Sequence, residues 1–268
     1  MTGARAGRLG VGVVGAGRVG PVLALALAGA GHAVTGISAI SEESRERAEA
    51  LLPGVPLLEV PEIVRRSELV LFAIPGSELP QLVRGLTETG AWQAGQLVAH
   101  TAPEHGHGVF APALAAGVIP LALHPALVFT GTSLDLARLA GATVAVTAPT
   151  PVLPIGQALA VEMGAEPVVV AEEDRPAYAE ALAAATEFSR AVVGQATAAL
   201  RELGIARPDH VVGGLVRAAV EEELAAAAGL ADAADPGSHD RSRVGGSAPT
   251  RDAGPGRRSP RRGRRSPP

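Results

Sequence analysis

The chain has 268 residues, 47% of them hydrophobic and 19% charged, with a formal net charge of -4, a profile of a globular protein with room for one large or two unequal domains. It contains no Cys, which excludes disulfides, thiol nucleophiles and cysteine metal centres and suits a reducing cytoplasm. Lys and Asn are also absent, so no lysine can act as Schiff-base former, general acid or phosphate clamp, and every basic role falls to Arg or His.

Residues 9–38, LGVGVVGAGRVGPVLALALAGAGHAVTGIS, read as strand, glycine-rich turn, helix and second strand. Leu9, Val11, Val13 and Val14 suit a buried parallel strand, and Gly15, Gly17 and Gly20 follow at the spacing Gly-x-Gly-x-x-Gly. The first glycine permits a tight turn, the second lets the backbone approach a pyrophosphate, and the third lets the helix pack closely on the strand. A helix over 19–30 then aims its free N–H groups and positive dipole end at the phosphates. The pattern predicts a dinucleotide site; the bland alternative is a glycine-rich turn that binds no nucleotide. An NAD site presents an acid to the ribose about 20 residues further on, whereas this second strand ends at Ser38 and continues AISEESRERA. A carboxylate there would repel a 2'-phosphate, while Ser38, Ser41 and Arg45 offer donors and positive charge to one, which favours NADP over NAD. The competing reading pairs Arg45 and Arg47 with Glu42, Glu43, Glu46 and Glu49 on a solvated helix face.

Arg18 interrupts the first apolar run, so no secretory signal is expected. Pro112, Pro120, His124 and Pro125 break residues 111–129, so no membrane span is expected. Past the second strand the pattern gives a helix over 45–52, a strand over 68–74 ending at Pro75, a helix over 78–87 and a strand over 96–100. A helix over 110–116, strands over 117–123 and 142–147, a helix over 154–163 and a short strand over 167–170 complete the alternation. This predicts an α/β fold with a doubly wound parallel sheet of Rossmann type over residues 1–171. Two alanine-rich helices, 176–203 and 208–228, form a small all-α domain over 172–230, separated by a Gly204 stop and a Pro208 start. A domain of that size is marginal alone, so it is expected to dock on the sheet or to build a homodimer. Residues 231–268 hold nine Arg against four acids and are rich in Pro, Gly and Ser, a composition expected to be disordered. Without them the body holds 14 Arg against 23 acids, a charge of -9. Such a tail can bind nucleic acid through charge alone, and no specific nucleic-acid partner is expected.

The segments GAGRVG, GISAIS with SRERA, LLPGVP, ELVLFAIPGSEL, GAWQAGQLVAHT and PLALHPALVFTGTSLDLARLAGATVAVTA together resemble the Rossmann-like bacterial proteins whose second domain is domain of unknown function 2520. The family is similar in layout to pyrroline-5-carboxylate reductase, ketopantoate reductase and the deazaflavin-dependent NADP reductases, so the resemblance implies NADP binding and hydride transfer. Residue by residue it places Gly15, Ala16, Gly17, Arg18, Val19 and Gly20 in the phosphate turn. It places Ala73, Ile74 and Pro75 beside the nicotinamide ribose, and His100, Thr101 and His124 at strand ends facing the crevice. The chain departs from its relatives in carrying Ala102 and Pro103 after His-Thr, in lacking an Asn-His pair on the first helix of the second domain, and in ending on an Arg-rich segment.

His124 is the leading candidate for a general acid or base, since an imidazole can pass a proton to a carbonyl or imine under reduction. The alternative is a local hydrogen bond before the rigid Pro125. His100 is the second candidate, with Thr101 as a hydrogen-bond donor to cofactor or substrate. His105 and His107 with Glu104 lack further ligands at metal spacing, and no metal is expected. The sequence supports an NADP-dependent oxidoreductase acting on a small carbonyl or imine metabolite; the alternative is a non-catalytic NADP-binding sensor or scaffold. A polar cluster from the second domain opposite His100 and His124 favours the enzyme, and an alanine-lined wall there favours the sensor.

Overall fold

A computed structural model describes residues 8–234. The chain opens with β1 (Gly10–Val14), α1 (Gly20–Gly29) and β2 (Ala33–Ser38), then α2 (Glu42–Leu51), α3 (Val60–Arg66) and β3 (Leu69–Phe72). Helix α4 (Leu79–Glu88) leads to β4 (Leu97–His100), and a 3-10 segment (His107–Ala116) to β5 (Ile119–Pro125). There follow α5 (Leu134–Leu139), β6 (Thr143–Thr147), α6 (Leu153–Glu162), β7 (Glu166–Val169), α7 (Arg175–Glu202) and α8 (Pro208–Ala234).

The seven strands form one sheet in the order β2-β1-β3-β4-β5-β6-β7. Chain direction across the sheet reverses between β1 and β3, whose ends Val14 and Phe72 are register partners. A crevice outside the carboxyl ends at such a reversal is where open α/β sheets take ligands. Both faces are covered, as parallel strands require. On one, Val13, Leu71, Ala99 and Leu121 pack with Leu23 and Leu27 of α1 and Leu159 of α6. On the other, Val70, Phe72 and Val98 pack with Ile63 of α3, Val83 of α4 and Phe110.

The sheet is parallel except at one pair, because β6 runs antiparallel to β5. The connection from Pro125 holds only the six-residue α5, and Ala126 N–H already donates to Thr143 O. The chain therefore returns from the end of β5 beside itself instead of crossing over the sheet. Helices α3 and α5, of seven and six residues, are too short to show a helical period. Residues 107–116 form a 3-10 segment in place of the expected α-helix, with Pro112 inside it removing an N–H donor.

The chain divides into two compact units between Ala191 and Val192, within α7. In the second unit Val212 is buried, while Leu203, Leu215 and Leu224 are exposed. Helix α8 continues to Ala234, beyond the expected end at 228. The expected disorder beyond Ala234 falls outside the described residues. No helix among them is long and apolar enough to cross a membrane.

Candidate functional site

The turn between β1 and α1 is set by contacts that exclude side chains. Gly15 lies at φ +105, in the left-handed region that glycine tolerates, and a Cβ there would stand 2.5 Å from the Ala73 carbonyl oxygen. At Gly20 a Cβ would stand 2.1 Å from Gly15 O. Gly17 differs: its φ is ordinary, and a Cβ on it would meet nothing within 4 Å. No described residue requires a glycine at 17, so its missing side chain leaves an open backbone face suited to a close-lying ligand.

That face opens on a cleft of about 1500 Å³. Of the sequence-predicted residues, Gly15, Ala16, Gly17, Ser38, Ser41, Arg45, Ala73, Ile74 and Pro75 all line it. Arg18, Val19 and Gly20 lead on into α1 and are not part of its lining. Ser38 Oγ accepts from Gly15 N–H at 3.0 Å, bracing the turn from β2. Ser41 caps α2 by accepting from Ser44 N–H at 3.2 Å. Arg45 is exposed at the cleft rim and forms no ion pair among the described residues, whereas Arg47 pairs with Glu43 and donates to Ala16 O at 3.1 Å.

His100, Thr101 and His124 lie outside this cleft lining. His100 is wholly buried. Its Nε2–H donates to Gly106 O at 2.9 Å and its Nδ1 accepts from Ala102 N–H at 3.2 Å. Backbone partners therefore use both nitrogens, and the ring holds the loop that follows β4. Burial lowers its pKa to about 3; the bond to Gly106 opposes this, and Arg175, His105 and His124 add to it. Thr101 N–H donates to Phe72 O. His124 shares a 3.0 Å hydrogen bond between its Nδ1 and the Tyr178 hydroxyl, with the rings edge-on at 79°. Burial, then Arg175, lowers its pKa to about 4, so at neutral pH the imidazole carries no proton to give as imidazolium.

Arg175 and Tyr178, on the first turn of α7, escape sequence reasoning. Tyr178 is the only tyrosine in the chain, which is the one signal that marked it. The Arg175 guanidinium is fully buried; its Nε donates to Thr147 Oγ1 at 2.7 Å, and its Nη2 to the carbonyls of Ala122 and Ala145. Its Nη1 has no hydrogen-bond partner among the described residues, and its charge lies 5.7 Å from the Tyr178 ring centre. Burial raises the Tyr178 pKa, and Arg175 opposes that rise, so the phenol is protonated at neutral pH. His105 donates through Nε2 to Gly76 O, and the Glu172 carboxylate accepts from His107 and Gly108 N–H. No cluster of three or more His, Cys, Asp or Glu suited to a metal ion occurs among the described residues.

Sheet order, crevice and glycine turn define an α/β protein of Rossmann type. Residues 1–125 match the Rossmann-like domain model and residues 142–233 match domain of unknown function 2520. The chain belongs to the Rossmann-like proteins that carry this second domain. No curated protein matches it in sequence. Among solved structures it is similar to a proposed NADP oxidoreductase from Bacteroides fragilis, at 18% identity over 80% of each chain with TM-score 0.65. It is also similar to a reductive aminase from Aspergillus terreus in complex with NADPH and ethyl levulinate, at 14% identity over 86% of this chain and 78% of that one, TM-score 0.62. A pyrroline carboxylate reductase from Plasmodium falciparum with NADP bound matches at 12% identity over 81% and 79%, TM-score 0.54. At these identities the likeness shows the shared fold.

Two stability predictions follow from this geometry. Gly20→Ala, whose Cβ would strike backbone, is expected to cost about 1–3 kcal/mol or more in denaturant unfolding, and Gly17→Ala about 0.5 kcal/mol or less. The folded pKa values of His100 and His124 lie below the ordinary 6.5, so below that pH the unfolded chain binds more protons than the folded one. Stability is therefore full above pH 6.5 and falls on acidification, by about 2–3 kcal/mol per histidine between pH 6.5 and 4.5. Thermal melts across that range should show the loss, and His100→Gln and His124→Gln should each flatten it.

Proposed function

We propose that the protein is an NADP-dependent oxidoreductase that moves a hydride to or from a small carbonyl or imine metabolite. The observation that carries this reading is the glycine turn, whose Gly17 presents bare backbone to a large cleft at the sheet's reversal point. The residues present fit a dinucleotide: free backbone for the pyrophosphate, and Ser38, Ser41 and Arg45 together at the rim for a 2'-phosphate. Ala73, Ile74 and Pro75 line the same cleft beside Gly15, and the family resemblance assigns them to the nicotinamide ribose.

When bound, the cofactor supplies or accepts the hydride. The protein must then supply the proton, and Tyr178 is the group best suited to donate it. Its hydroxyl is protonated at neutral pH, the Arg175 charge stabilises the phenolate left behind, and His124, neutral and bonded to the same hydroxyl, returns a proton from solvent. In the oxidative direction the same groups take the proton from the substrate hydroxyl or amine. His124 acts here through Tyr178, and His100 positions the loop between β4 and the 3-10 segment. Thr101 remains a donor candidate at the end of β4. This polar cluster, contributed in part by α7, supports an enzyme over a non-catalytic sensor. The exposed Leu203, Leu215 and Leu224 support self-association as a homodimer through the helical region.

NADPH and NADH titrations followed by calorimetry test the cofactor assignment. NADPH is expected to bind the more tightly, and Arg45→Ala to weaken NADPH about tenfold while leaving NADH unchanged; equal loss for both would remove the 2'-phosphate role. Once a carbonyl or imine substrate is found by screening, Tyr178→Phe should lower kcat about 10²- to 10⁴-fold with the NADPH Kd unaltered. Sedimentation should give a dimer that Leu215→Glu with Leu224→Glu converts to monomer.

A further inference from the structure

The Phe-Thr-Gly-Thr segment after β5 has no role in the site as described so far, yet it is built against the back of the glycine turn. Gly131 lies at φ +79, and a Cβ there would stand 2.8 Å from Arg47 Nε and 3.2 Å from Arg18 Cα. The loop backbone is therefore pressed onto both the turn and the Arg47 side chain. Asp135, wholly buried at the start of α5, holds the loop in that place. Its carboxylate accepts from Thr130 N–H at 2.7 Å, Gly131 N–H at 2.8 Å and Thr130 Oγ1 at 3.0 Å, and from Arg138 Nη1 at 2.9 Å.

Arg47, confined on one side by Gly131 and paired with Glu43, donates through Nη1 to the Ala16 carbonyl at 3.1 Å. That carbonyl shares one planar trans peptide group with the Gly17 N–H, so the two point in opposite directions. Fixing the oxygen toward Arg47 fixes the Gly17 N–H away from it. A cation on the oxygen also polarises the amide and strengthens it as a donor.

We propose that Arg47, seated by Asp135 through the Thr130–Gly131 loop, is a positioning residue that orients the Ala16–Gly17 peptide for the pyrophosphate of a bound dinucleotide. It acts through the peptide and does not touch the ligand. The proposal rests on the dinucleotide reading above. It differs from the role given to Arg45, because the pyrophosphate is common to NADPH and NADH whereas the 2'-phosphate is not.

The test titrates the full chain with NADPH and with NADH, comparing wild type, Arg47→Ala, Arg47→Lys, Asp135→Asn and the Arg47→Ala/Asp135→Asn double variant, each first checked for an unchanged circular dichroism spectrum. Arg47→Ala should weaken both nucleotides by the same factor, about tenfold, with partial recovery in Arg47→Lys. Asp135→Asn should weaken both in the wild-type background and add less than about twofold once Arg47 is gone, since coupled residues are not additive. Should Asp135→Asn fail to fold, Thr130→Val, which removes the hydroxyl's bonds to Asp135 and to Thr132 and leaves the backbone N–H bonds to Asp135, takes its place in the same cycle. Wild-type affinity in Arg47→Ala, loss confined to NADPH, or full additivity in the cycle would overturn the proposal while leaving the dinucleotide site standing. Failure of wild type to bind either nucleotide would instead overturn the dinucleotide reading and this one with it.

Discussion

Backbone meets backbone where β1 turns into α1, and the rest of the molecule is arranged around that approach. Gly15 sits against the Ala73 carbonyl at the end of β3, and Gly20 against Gly15 itself, at separations that no Cβ could share. The helix can start this close to the sheet only because both positions lack side chains. The turn is then braced from three directions. Ser38 accepts from Gly15 N–H on the β2 side, Arg47 holds the Ala16 carbonyl from α2, and Gly131 presses on Arg18 and Arg47 from the connection after β5.

A second constraint lies at the other side of the sheet. The buried Arg175 has neutral acceptors from β5 and β6 and, among the described residues, no carboxylate in hydrogen-bond contact. A buried charge so treated is expensive, and Glu172 and Tyr178 are the groups that favour its charged form against burial. Its location joins the one antiparallel strand pair to the first turn of α7 and sets a positive charge beside the Tyr178–His124 pair.

Much of the fold was legible in the sequence. The buried strand at 10–14, the glycine spacing and the helix after it appear where period and turn chemistry put them, since each rests on local rules. Of the cleft's lining, Gly15, Ala16 and Gly17 were legible from a motif whose geometry is local, Ser38, Ser41 and Arg45 from the missing acid after the second strand, and Ala73, Ile74 and Pro75 through the family resemblance. The reversed β6 was not, because strand direction is decided by how a connection packs and the apolar run TVAVT reads the same either way. Helices α3 and α5 fell below the length at which a 3.6-residue period shows. His124 and His100, ranked first and second, both read as strand-end histidines and differ in the structure: His100 is enclosed by backbone partners on both nitrogens, and His124 meets a phenol 54 residues further along the chain.

The sequence by itself determined the α/β class, the position of the glycine turn and the absence of an acid on the second strand, because these depend on residue types a few positions apart. Only the tertiary structure decided that Tyr178 and Arg175 join His124, that Asp135 and Gly131 stand behind Arg47, and that Gly17 faces open space. Those pairings link residues dozens of positions apart in the chain, and nothing in local sequence encodes which distant side chains packing will bring within hydrogen-bond reach.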